Sequence, residues 1–168
     1  MVINKDDRLF ISVLLSCIII NLMACTTERN PCLEPTLAKL NVGCYQYNVD
    51  SKTYVDTLLP NSNFVSLDID SAKYWYWGAD KLNKFAIVLS PLRDTTRWTL
   101  QVDSGFSKMD TLTFIYERKL KFYSNACGYG YDYRILNVLS TFQNLDSVRI
   151  FNADVSTKAG IENVKVYF

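Results

Sequence analysis

Histidine is absent from all 168 residues. Its absence removes the Ser-His-Asp and Cys-His arrangements, the usual zinc ligand sets and the commonest general base near neutral pH. Catalysis would have to rest on carboxylates, lysine or tyrosine. No motif places two carboxylates as a glycosidase pair, so a non-enzymatic role is expected. Asp68 and Asp70 in "SLDIDS" share one strand face, but the further acids and the glycine that a calcium loop sets at fixed offsets are missing. Both are expected on a solvent face, and neither a metal nor another cofactor is expected. Excess charge is also lacking, with 18 bases against 17 acids and a formal net charge of +1. The longest basic run is "RKLK", Arg118 to Lys121, where lysines alternate with Leu120 and Phe122 as the solvated face of a strand does. Such a run is no phosphate track, so nucleic acid is not an expected partner. Low-complexity tracts are missing too, and with 49% apolar residues disorder is not expected.

No apolar run reaches the about 20 residues that a bilayer-crossing helix needs. Leu9 to Met23 gives fifteen, interrupted only by Ser12, Ser16 and Asn21, after an opening in which Asp6 and Asp7 offset Lys5 and Arg8. A secretory signal has an apolar core of about 7 to 15 residues followed by small residues at its cleavage site. The stretch Leu22-Met23-Ala24-Cys25 resembles the lipobox of bacterial lipoproteins, in which the cysteine is diacylglycerylated and the chain is then cut before it. Residues 1–24 are therefore expected to be a lipoprotein signal peptide, residues 25–31 a lipidated tether, and residues 32–168 a single domain. Cys17 is discarded with the signal. Several acyl chains anchor a protein durably, because each buried methylene adds about 0.8 kcal/mol. The tether from Cys25 to Cys32 spans at most about 25 Å. Thr26, rather than aspartate, follows the lipidated cysteine. By resemblance to other lipoproteins this points to the outer membrane.

Cys32, Cys44 and Cys127 remain in the mature chain. In an oxidising envelope compartment two of them are expected to pair. Leu40, Val42 and Cys44 alternate onto one face of "KLNVGCYQYNV", which reads Cys44 as a buried core thiol. Cys32 and Cys127 are then left as partners, closing a loop for which chain entropy gives about 4.7 kcal/mol. Cys32 with Cys44 is the competing pair.

Period-two alternation recurs in Val65-Leu67-Ile69, Trp98-Leu100-Val102, Leu112-Phe114-Tyr116 and Val164-Val166-Phe168, each rich in β-formers. Turn signals separate these runs: "LPNSN", "SPLRD", "DSG", "QNLD" and "NADVSTKAG". The pattern predicts an all-β domain, a single antiparallel β-sandwich of about eight strands, loosely immunoglobulin-like. Ile135, Val138, Leu139 and Phe142 have helical spacing, yet the flanking "YDYRI" and "SVRIF" predict a hairpin with "QNLD" as its turn.

The runs "SPLRDTTRWTL", "DTLTFIYERKLKFYSNACGYGYDYRI", "NLDSVRI" and "ENVKVYF" together resemble a family of small envelope lipoproteins catalogued as domain of unknown function 6452. The similarity extends over nearly the whole mature chain, including Cys32 and the Ala-Cys-Gly of residues 126–128. It implies a lipid-anchored β domain with no assigned reaction and no catalytic residue, often encoded near an outer-membrane barrel protein. It also implies a Cys32–Cys127 bridge with Cys44 unpaired. The expected role is that of an accessory or structural partner of an envelope protein. The alternative is a glycan-binding module that uses Trp75 and Trp77 of "KYWYWGAD", which an extended strand places on one side while Tyr74 and Tyr76 take the other.

Overall fold

Residues that alternate in and out along the chain form the two layers of a β-sandwich. The computed structural model describes residues 31–69, 75–103, 105, 108–158 and 160–168. Cys17, Cys25 and the lipobox lie outside the described residues, as do Asp70 and Tyr74. A compact unit spans Leu33–Phe168. Its eleven strands are β1 (Lys39–Asn48), β2 (Thr53–Asp56), β3 (Ser62–Ser66), β4 (Tyr76–Ala79), β5 (Lys84–Val88), β6 (Thr95–Gln101), β7 (Asp110–Ser124), β8 (Gly128–Ser140), β9 (Ser147–Ile150), β10 (Asp154–Val155) and β11 (Val164–Tyr167). The count is thus eleven rather than about eight; β2 and β10, four and two residues long, bury no alternating apolar pair.

One sheet has six strands in the order β10-β8-β7-β6-β3-β4, all antiparallel. The other has five: β2-β1-β11-β9, with β5 also on β1. There β1 and β11 run parallel, with Val42 opposite Val164 and Cys44 opposite Val166, so this sheet is mixed rather than purely antiparallel. Both ends of the domain thus meet at the centre of the smaller sheet.

Hydrophobic alternation sets the register, since a one-residue slip would turn every apolar side chain to solvent. Leu40, Val42 and Cys44 of β1, Trp98 and Leu100 of β6, Leu112, Phe114 and Tyr116 of β7, and Val164 and Val166 of β11 are all buried as expected. Phe64 joins them, packed on Phe85 and Trp98 with ring centroids 4.8 and 5.3 Å away. The expected Val65-Leu67-Ile69 face is out of phase, because Ser62, Phe64 and Ser66 point inward while Leu67 is exposed. A single large ring outweighs two aliphatic neighbours, since an aromatic side chain buries about 150–250 Å². Within this core the Tyr116 hydroxyl lies 2.7 Å from that of Thr96, accepts from the Ser90 N–H at 2.9 Å and donates to the Ser90 carbonyl.

Residues 135–140 are strand, as the flanking sequence indicated. However, "QNLD" does not close a hairpin: β8 belongs to the six-stranded sheet and β9 to the five-stranded one, so the segment crosses between layers. Fully buried Asp110 holds the crossing. Its carboxylate accepts from the backbone N–H groups of Gln143, Asn144 and Leu145 and from the Thr141 hydroxyl. The long hairpin is instead β7–β8, turning through Asn125-Ala126-Cys127.

Cys32 and Cys127 are joined in a disulfide, and Cys44 is a free, buried thiol. Burial, with the negative charges of Glu162 and Asp56 adding to it, pushes the Cys44 thiol up to about 12, so it is unionised and inert near neutral pH. Asp68 departs from the solvent-face expectation, because its side chain is only 6% exposed. The carboxylate accepts from the Arg97 backbone N–H at 2.7 Å, its Nη2 at 2.9 Å and its Nε at 3.3 Å, with Arg93 at 3.5 Å. The Arg97 hydrogen bonds outweigh desolvation and hold its pKa below the ordinary carboxylate value.

Candidate functional site

The residues of β1 that do not face the core build a different surface. Tyr45 and Tyr47 alternate with the buried set and project from the outer face of the five-stranded sheet. Chain reversal after Asn48 puts β2 beside them: the Asn48 Oδ1 accepts from the N–H groups of Asp50 and Ser51, and Lys52 takes a left-handed φ of 52°. Asparagine favours such local turns. The register then sets Tyr54 opposite Tyr47. On the other side, the parallel β11 sets Lys165 beside Gly43 and Tyr167 beside Tyr45, and β9 adds Arg149 opposite Lys165.

The result is a connected set of rings and cations. Tyr47 meets Tyr54 at 5.4 Å between centroids and Tyr54 meets Tyr167 at 4.6 Å, both edge to face, while Tyr45 lies 5.7 Å from Tyr167. Such cross-strand aromatic pairs each contribute about 0.2–1 kcal/mol. Lys165 Nζ sits 4.5 Å from the Tyr45 ring and 4.4 Å from that of Phe151, and the Arg149 guanidinium sits 5.8 Å from Tyr167. Tyr47, Tyr54 and Phe151 remain 47%, 48% and 67% exposed, so the rings stay open to a partner.

Glu162 organises the inner end of this face. The Tyr45 hydroxyl donates to its carboxylate, with oxygens at 2.9 and 3.1 Å, and Lys165 and Lys84 approach it at 3.4 and 3.9 Å. The carboxylate lies over Gly43, where an added Cβ would come within 2.2 Å of Oε2. Glycine is needed here for close approach. Burial, then the hydrogen bond to Glu162 and its charge, pushes the Tyr45 phenol well above its ordinary value.

Trp75 and Trp77 do not form the expected aromatic pair. Trp75 is half-buried against the core, and its indole N–H is buried without an acceptor among the described residues. Trp77 is 76% exposed on β4, an outer strand of its sheet. A register shift breaks the alternation, since Ser62 pairs with Ala79 but Phe64 pairs with Tyr76. Gly78 at φ 58° marks the irregularity, and its N–H donates to Asn63 Oδ1 at 2.6 Å. Tyr76 turns inward and ties β4 to β5, accepting from the Ala86 N–H at 2.9 Å. The tyrosine face escaped sequence reading because its rings come from three separated segments. The signal available was Tyr45 and Tyr47 on the polar phase of β1.

The family model described as "Family of unknown function (DUF6452)" matches residues 56–168. The chain belongs to this family. The DUF6452 match begins at the end of β2, so Cys32, Cys44 and Tyr45 precede it, and the similarity expected from Cys32 onward is not shown there. No curated protein and no solved structure matches the chain.

Proposed function

We propose that this DUF6452 member is a lipid-anchored protein of the cell envelope, held at the outer membrane through acylated Cys25. In this reading it acts without catalysis, as an accessory that binds an envelope protein, with an outer-membrane barrel as the partner class. The observation that carries the binding role is the tyrosine face, with three exposed rings flanked by Lys165 and Arg149 on the outer surface of one sheet. Tyrosine and arginine are enriched where protein interfaces gain most of their energy. The "LMAC" sequence supports the anchor, and the anchor would concentrate the domain where such a partner resides.

The glycan alternative draws less support. Stacking on a sugar ring asks for a flat aromatic platform, whereas these tyrosines meet at interplanar angles of 69° and 71°. Trp77 stands apart from Trp75 and offers one indole.

A crosslinked pull-down of tagged full chain from detergent-solubilised envelopes tests the reading. The expected outcome is one envelope protein in stoichiometric yield, retained by Trp77→Ala and weakened about thirtyfold, or ~2 kcal/mol, by Tyr54→Ala. Recovery of the lipoprotein alone, or of a polysaccharide released by Trp77→Ala, would overturn it.

A further inference from the structure

The β7–β8 hairpin outruns the core it belongs to. Its strands pair from Leu112–Ser140 to Ser124–Gly128, but burial on β7 ends at Tyr116, and Glu117 to Phe122 are all exposed. The inward-facing register nevertheless continues. On β7, Arg118, Leu120 and Phe122 keep the parity of Leu112, Phe114 and Tyr116, and Tyr129 pairs with Phe122. Leu120, Phe122 and Tyr129 are 63%, 51% and 69% exposed, and Phe122 packs against Tyr129 at 5.1 Å. Beyond Arg118 this face therefore leaves half or more of each apolar side chain uncovered by the domain.

We propose that the hairpin tip is a second membrane contact, an apolar finger with Lys119 at its side that enters the surface of an anionic bilayer beside the lipid anchor. The inference rests on the anchoring of Cys25 proposed above. Two further observations select lipid as the occupant. Arg118, Lys119 and Lys121 stand on this stretch; Arg118 pairs with Asp94 at 2.7 Å and Lys121 with Asp132 at 3.3 Å, so among the described residues Lys119 is the base left to meet an anionic headgroup. The turn also carries Cys127, joined to Cys32, which lies seven residues from Cys25. Covalent reach therefore keeps the tip within about 30 Å of the acylated residue. Leucine and phenylalanine enter the acyl boundary, tyrosine favours the interface, and lysines lay their stems along apolar surface with the ammonium in water.

The test uses full chain produced in a bacterial envelope with a benzophenone amino acid replacing Phe122 and, separately, Leu139. Leu139 is equally exposed at 51% but sits at the other end of the hairpin, about 30 Å along β8. Retention of the Cys32–Cys127 bond reports folding of both variants. After irradiation, the expected result is an acyl mass on the Cys25 peptide, lipid adducts from position 122 and none from position 139. In the K119E background the lipid adduct at 122 falls. An acylated Cys25 with only protein adducts at 122, or lipid adducts alike at both positions, would overturn the inference and leave the anchor standing. An unchanged yield in K119E would overturn the role of charge. A Cys25 peptide without acyl mass would overturn the anchoring reading, and the inference with it.

Discussion

Single residues in this domain are set by what their neighbours leave room for, and Gly43 is the sharpest case. Its missing side chain lets Glu162 lie across β1 and accept the Tyr45 hydroxyl. Gly43→Ala is expected to keep the fold, because the clashing atoms end a flexible side chain, and to push Glu162 off Tyr45. The Tyr45 phenol then titrates closer to its ordinary value, readable by tyrosine-ring NMR; an unmoved titration would contradict the geometry. The pH dependence follows in sign. Tyr45 is held neutral in the folded state, so its contribution to stability is complete below the ordinary phenol range and is lost as pH rises toward the raised value. Asp68 works at the other extreme. Its lowered pKa gives a contribution complete above the ordinary carboxylate range and lost as pH falls. None of this was legible in sequence, because Gly43, Glu162 and Tyr45, like Asp68 and Arg97, meet only through sheet pairing.

At the scale of elements, alternation revealed β1, β6, β7 and β11 because each has apolar residues recurring at period two. It misjudged β3, where Phe64 outcompetes Val65 and Leu67, and β4, where the irregularity at Gly78 separates Trp75 from Trp77. It also misjudged the end of β8. A turn signal reports that the chain reverses, and says nothing of whether it returns to the same sheet. What directs "QNLD" across the sandwich is Asp110, more than thirty residues away. Asp110→Ala leaves three backbone N–H groups without their acceptor and is expected to destabilise the domain by about 3 kcal/mol. Urea denaturation checks this as a lower midpoint at unchanged slope. An unchanged midpoint would mean that the crossing is held by other contacts.

For the molecule as a whole, the absence of histidine and the near balance of charge directed attention to surfaces rather than to a reaction centre, and the fold bears its most unusual surface on the smaller sheet. The cysteines were largely readable, since the alternation around Cys44 favoured it as the buried thiol, while the competing Cys32–Cys44 pair was removed by the structure, in which Cys32 is joined to Cys127. The tyrosine face was not, since its tyrosines sit on β1, β2 and β11 and Phe151 follows β9, and it is the parallel pairing of β1 with β11 that brings the two chain ends together. As proposed, this face is covered by a partner protein in the envelope. Hydroxyl-radical footprinting of the protein in intact envelopes, compared with the purified protein, tests it whichever envelope protein is the partner. Tyr47, Tyr54 and Phe151 are expected to be protected from oxidation in the envelope while Trp77 is labelled equally in both. Equal labelling of the three rings, with Trp77 protected instead, would contradict the account.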